Sequence, residues 1–438
     1  MKKKEKETAK ELLDFIKRSP SAFHAVANIK EMLNTAGFEE LCEEQSWKIK
    51  AGGRYFTTRN DSSVIAFAIP EEEFTNFQIV AAHSDSPSFK VKENAEMFID
   101  GNYVELNVEK YGGMICAPWF DRPLSLAGRA MVKTEKGIES RLVNFDRDFC
   151  MIPNVAIHMN RQINEGYKYS PQKDMIPLIG GESAKGKFEQ VVADELKVKK
   201  EDILSKDLFL YNRMEGSFWG VDEEFISAPK LDDLQCAFSG MKALLSAENP
   251  KSILVCAVFD NEEVGSLTKQ GADSTLLYDV LRRITNALGK TEEEYMMAVA
   301  GSFMLSADNA HAVHPHHMDK ADPTNRPHMN KGIVIKYNAN QKYTTDAVSA
   351  AVLKEILDRA EIPHQSYVNN SDIAGGSTLG NISNAHVSLN TVDIGLAQLA
   401  MHSPYETAGA LDTDHMIRGI KAFYDTHITK EKSTYILD

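Results

Sequence analysis

SILVCAVFDNEE, residues 252–263, is the stretch from which the fold and the chemistry of this chain can both be read. Its seven apolar residues Ile253 to Phe259 are far fewer than the roughly 20 needed to span a bilayer. They suit a strand covered on both faces of a sheet. Directly after them come Asp260, Asn261, Glu262 and Glu263. Adjacent carboxylates at a strand end repel one another unless a proton or a cation compensates them. With a metal ion there, one Glu could bind it while its neighbour takes a proton from metal-bound water. Acidic residues also favour a helix N-terminus, so this motif alone leaves both readings open.

Outward from this stretch, further apolar runs predict strands at Ser63 to Ile69, Phe77 to Ala82, Gly332 to Tyr337 and Ser388 to Ile394. Helical periods alternate with them near residues 7–18, 22–36, 233–246, 274–287, 345–360 and 407–427. Between about Lys92 and Ala228 the texture changes to short alternating runs such as Tyr103 to Val108 and Ala130 to Thr134, which predicts a mainly β insert. Gly181 to Asp202, rich in Lys and Glu, reads as a solvated loop or a surface helix. The predicted architecture is one α/β domain, residues 1–92 and 229–438, interrupted by a β-rich domain at residues 93–228.

Composition bounds the function. A chain of 438 residues with 43% apolar and 26% charged residues is not disordered, collagenous or a coiled coil as a whole. Its net charge of −14 disfavours nucleic acid and basic membrane-surface roles. The same sign taken alone disfavours an acidic substrate, but net charge does not describe the inside of a pocket. The opening MKKKEKETAKELLDFIK has no signal-peptide pattern, and five scattered cysteines without a CxxC spacing indicate neither a disulfide framework nor a thiolate zinc site. A cytoplasmic location is expected.

Other candidate ligands sit at comparable places. His83-Ser84-Asp85 follows a predicted strand, where ligands gather in open α/β sheets. Asp85 could accept the other ring N–H of His83 and fix its tautomer, although an HxD also serves as a cap or turn. In Lys230-Leu231-Asp232-Asp233, one Asp could bridge two metals and the other cap the following helix, or both could be caps. Asp308 and His402 each lie shortly after an apolar segment and add one ligand apiece. Together these residues supply the ligand inventory of a two-zinc hydrolase. The denser group His311, His314, His316 and His317 lies in a Pro-containing loop and reads as a substrate-lining or surface loop instead.

The segments AAHSDSPSFKVK, WFDRPLSLAGR, IPNVAIHMNR, APKLDDLQ, FDNEEVGS, SADNAHAVHP, GIVIKYNANQKY, GGSTLGNI and QLAMHS occur in this order along almost the whole chain. In this set the sequence resembles the aspartyl aminopeptidase family of dizinc metallopeptidases. The resemblance implies a zinc-peptidase type α/β fold, a mixed sheet flanked by helices, with the β insert mediating dimer formation. It implies two zinc ions per subunit, with Mn or Co as possible substitutes: one held by His83, Asp232 and Asp308, the other by Asp232, Glu263 and His402. Glu262 matches the general base and Asp85 the partner of His83. Asp233 stands where the family commonly has Asn.

The resemblance further implies attack of a zinc-bound hydroxide on the first peptide bond and removal of N-terminal Asp or Glu from short peptides. A neutral, Leu-type preference is the nearest alternative, and a non-catalytic assembly protein a more distant one. Lys336 and His311 match substrate-pocket positions, and Lys336 is the expected partner of an acidic side chain. By its residues alone Lys336 could equally be an outward-facing Lys. His158 matches a residue that reaches into a neighbouring subunit's site. Asn154 stands where some relatives have His, and His316 and His317 have no counterpart. The expected assembly is a homododecamer built from dimers, with no nucleic acid or membrane partner.

Overall fold

Strand Asn76–His83 lies at the centre of a nine-stranded mixed sheet in a computed structural model of the chain. Residues 3–438 are described; Met1 and Lys2, the first two residues of the opening stretch read for a signal peptide, lie outside them. The strand order is Glu39–Glu40, Arg54–Arg59, Ser63–Ala68, Ser252–Phe259, Asn76–His83, Phe303–Ala307, Asn390–Gly395, Ile333–Tyr337 and His364–Val368. Ser252–Phe259, Asn76–His83, Phe303–Ala307 and Asn390–Gly395 run parallel to one another. The first three are apolar along most of their length because both faces of the sheet are covered.

Alternation of side chains across the strand decides which layer each residue enters. Ile79 and Ala81 pack with Leu277, Val280, Leu281 and Ile284, the apolar face of helix Leu276–Ala287. Val80 and Ala82 face the opposite layer, with the helices Lys3–Lys17, Ala22–Thr35, Leu231–Ser246 and Asp412–Asp425. The result is a three-layer α/β sandwich, as the apolar strands predicted.

A second, six-stranded antiparallel sheet has the order Gly137–Asn144, Leu124–Thr134, Ile203–Asn212, Ser88–Ile99, Tyr103–Tyr111, Leu178–Gly181. Its own core includes Phe89, Leu106, Trp119, Leu126, Val143 and Leu208. This sheet starts at Ser88 and ends at Asn212. Residues 217–228 instead form two strands, Ser217–Trp219 and Phe225–Ala228, of a third sheet that continues through Glu406–Gly409, Ala397–Leu399 and Ala310–His311.

One local expectation changes, one open reading resolves to a helix, and one unassigned stretch gains an element. The helix expected at residues 407–427 begins only at Asp412, because Glu406–Gly409 is a strand held between Phe225–Ala228 and Ala397–Leu399. Within Gly181 to Asp202 the chain forms helix Phe188–Leu196, anchored by buried Phe188, Val192 and Ala193. Residues 292–300, assigned no element from sequence, are a helix started by a reciprocal capping box between Thr291 and Glu294. Among the described residues no helix is long and apolar enough to cross a membrane, and all five cysteines are free.

Candidate metal centre

Four of the candidate ligands, His83, Glu262, Glu263 and Asp308, emerge where the parallel strands, buried on both faces, end. His83 closes its strand and is paired in register with Phe259; Glu262 and Glu263 lie in the short turn Glu262–Val264 beyond that neighbour. On the other side, Asp308 follows Phe303–Ala307. Asp232 and Asp233 open helix Leu231–Ser246 with non-helical backbone angles, which turn the two carboxylates to different partners. His402 comes from the turn between Ala397–Leu399 and Glu406–Gly409, in a left-handed conformation with φ 67°. Five loci far apart in sequence therefore converge at the carboxyl edge of the sheet.

Two sets of ligand atoms share Asp232. His83, Asp232, Asp233 and Asp308 each offer an atom within 4.8 Å of the others, and so do Asp232, Glu263 and His402. Nε2 of His83 is 3.6 Å from Asp232 Oδ1, while Nε2 of His402 is 3.4 Å from Asp232 Oδ2 and 3.3 Å from Glu263 Oε1. Asp232 Oδ1, Asp233 Oδ1 and Glu263 Oε1 are buried and accept no hydrogen bond. Buried anionic acceptors without donors are costly, and a bound cation would satisfy all three. The donor set, imidazole and carboxylate, is one that zinc accepts.

The proton equilibria reflect the same crowding of negative charge. Burial pushes the Glu262 carboxyl up to about 8, with Asp308 and Glu263 adding to the rise, and pushes Glu263 up to about 7. Burial opposes the charged form of His402, yet Asp232 and Glu263 lift it to about 11; against the same opposition, Asp233, Asp232 and Asp85 hold His83 well above its ordinary value. Without another cation, the site keeps protons as its compensating charge.

Asp85 holds the site from behind. It accepts the backbone N–H groups of Glu262 and Glu263 at 3.1 and 3.2 Å and the Tyr111 hydroxyl at 2.7 Å. Its carboxylate stands 3.3 Å from His83 Nδ1, and that nitrogen also lies 3.1 Å from the Asp85 carbonyl oxygen. Glu406 was not singled out from sequence. Its buried carboxylate accepts the backbone N–H of Asp232 and that of His402. Asp233 does not cap its helix; it accepts the backbone N–H of His83 at 3.2 Å. Tyr111 carried no sequence signal, since its role depends on the second sheet lying against the first.

One cavity of about 140 Å³ is lined by His83, Asp232, Glu262, Glu263, Asp308 and His402, together with Lys336 and His311. Lys336 does not face outward: it is 2% exposed, and its Nζ donates to the Asp308 and Asn309 carbonyl oxygens at 2.7 and 3.2 Å and lies 3.7 Å from Asp308 Oδ2. His311 belongs to this cavity, whereas His314, His316 and His317 are exposed and group with one another. His158 lies in an exposed turn and does not line the cavity. Asn154, in the same region, donates to Asp121.

Residues 15–424 match the family described as aminopeptidase I zinc metalloprotease (M18). The chain belongs to the M18 family. A relative named probable M18 family aminopeptidase 2, from Clostridium acetobutylicum, is 46% identical over 97% of this chain and 100% of its own length. The cryo-EM structure of the Ape4 and Nbr1 complex contains a chain with TM-score 0.93 and 36% identity, covering 96% of this chain and 86% of that one. The S. cerevisiae mApe1 dodecamer has TM-score 0.84 and 26% identity, covering 96% of each. This M18 chain is a zinc-dependent aminopeptidase, and the carboxylate and imidazole cluster at the sheet edge is its candidate metal centre.

Proposed function

We propose that this M18 chain removes N-terminal Asp or Glu from short peptides, using two zinc ions. His83, Asp232 and Asp308 would hold one ion, and Asp232, Glu263 and His402 the other. The single observation that carries this reading is Asp232: one buried carboxylate belongs to both ligand-atom sets, with an oxygen toward each imidazole. Asp233, whose backbone partner is His83, also stands close enough to join the first set. When bound, the ions would polarise the scissile carbonyl and stabilise the negative charge that develops on its oxygen. Mn or Co suits the same donors.

The protein's own groups do the proton work. Glu262 lines the cavity and is held by its backbone N–H on Asp85. Its carboxyl, with a proton affinity near neutrality, takes a proton from the attacking water and returns it to the leaving amine. Asp85 and Glu406 act on position, the first on His83 and the Glu262-Glu263 turn, the second on Asp232 and His402. His311 and Lys336 would line the pocket for the first residue of the peptide. His158, exposed on its own subunit, would complete the site of a neighbour. The six-stranded sheet, residues 88–212, would serve as the dimerisation unit inserted into the α/β domain, and dimers would assemble into a homododecamer in the cytoplasm. The likeness to the mApe1 dodecamer and the five free cysteines support these two points.

Neutral, Leu-type preference is the second reading, and one observation favours it: two donors of Lys336 are already engaged by backbone carbonyls. Release of Asp and of Leu from paired short peptides, by the parent and by Lys336→Ala, separates the two. Acidic selectivity predicts that Asp release dominates and that the variant loses it selectively. Unchanged Asp release in Lys336→Ala would remove Lys336 from the pocket.

A further inference from the structure

A short segment leading out of the second sheet meets the metal centre. Strand Tyr103–Tyr111 ends where its last residue reaches Asp85, and the next four residues run along the site. The Tyr111 ring packs edge-on against Phe209 of the same sheet, which fixes its direction. Its hydroxyl donates to Asp85 Oδ2 at 2.7 Å and accepts from Asn261 Nδ2 at 2.8 Å. Gly112 has φ 76°, and a Cβ there would stand 3.2 Å from the Glu263 Cβ and 3.3 Å from the Glu263 carbonyl oxygen. Ile115 donates its backbone N–H to the His402 carbonyl oxygen at 3.1 Å. In five residues the segment meets the partner of His83, the backbone of Glu263 and the backbone of His402.

We propose that Tyr111–Ile115 is a positioning clasp through which the inserted sheet sets the metal centre from both of its sides. The clasp rests on the reading that His83, Glu263 and His402 hold zinc. It touches no reacting atom. Tyr111 keeps the Asp85 carboxylate turned toward His83 and the Glu262-Glu263 turn, Gly112 admits Glu263 at close range, and Ile115 ties down the left-handed turn that presents His402. A residue behind the ligands typically changes metal affinity by about 10–100-fold when its contact is lost.

The test uses the full-length, zinc-loaded protein and its Tyr111→Phe and Gly112→Ala variants, titrated with a zinc chelator and melted with and without zinc. The expected result is zinc held about 10–100-fold less tightly in each variant, with turnover recovering in excess zinc and a larger loss of melting temperature in the zinc-loaded than in the metal-free form. Either variant suffices should the other fail to fold. Parent-like zinc retention in a folded variant overturns the clasp, as does an equal loss of melting temperature in the metal-free and zinc-loaded forms. A parent chain that holds no zinc would instead overturn the metal-centre reading on which the clasp depends.

Discussion

Glu406 and Asp232, separated by 174 positions in the chain, are joined by a 3.0 Å hydrogen bond from the Asp232 backbone N–H to Oε2 of Glu406. The other oxygen of the same carboxylate accepts the His402 backbone N–H at 2.6 Å. One buried side chain thus spaces the residue shared by both ligand sets and a ligand of the second. Glu406→Gln keeps the shape but puts an NH₂ group against one of these donors. We expect zinc affinity to fall by about 10–100-fold, measured by chelator competition. Parent-like affinity would assign Glu406 to packing alone.

Glu262→Gln should leave metal content intact and lower kcat by about 10²–10⁴-fold, the usual range for a lost general base. Glu263→Gln, next in the chain, should lose metal as well as activity, since its buried Oε1 accepts no hydrogen bond and would be satisfied by a cation. Elemental analysis beside steady-state kinetics separates the pair. Substantial turnover in Glu262→Gln would remove that residue from its role.

The metal-free protein should lose stability as pH rises. Glu262 at about 8, Glu263 at about 7 and His402 at about 11 all lie above their ordinary values, so the folded chain binds more protons than the unfolded one. Their contribution is complete below the unfolded values and fades as pH rises through the folded ones. Melting temperatures of the metal-free form should therefore decline from about pH 5 to about pH 9. Zinc displaces these protons and should stabilise most at the upper end. A rising slope for the metal-free form would contradict the proton-compensated site.

Gly395→Ala tests the support of Asp308. A Cβ at Gly395 would sit 2.0 Å from the Asp308 carbonyl oxygen, which also accepts from Lys336. The backbone carrying Asp308 must shift, at a cost of about 1–3 kcal/mol typical of overpacking. Thermal melting should show that loss, and zinc content should fall with it. A fully stable, fully zinc-loaded variant would show that Asp308 is not held this tightly.

Much of the fold and the ligand set follows from local chemistry. Long apolar strands must be covered on both faces, so their ends are where charged groups can gather, and His83, Glu262, Glu263 and Asp308 all stand at or just past such ends. Those rules work within a few residues of the chain. They could not show that Glu406 begins a strand rather than a helix, since its pairing with Ala228 is made by a distant segment. Nor could they place Tyr111 on Asp85, choose His311 over His314, His316 and His317 as the cavity histidine, or turn Lys336 inward.

The sequence by itself determined the buried strands and the candidate ligands at or just past the ends of several of them, because strand length, polarity and spacing are local properties. Only the tertiary structure decided what holds Asp232 between the two sets of candidate ligand atoms. Asp232, Glu406, Asp85 and Tyr111 acquire their roles from hydrogen bonds between elements that meet only when the sheets pack together.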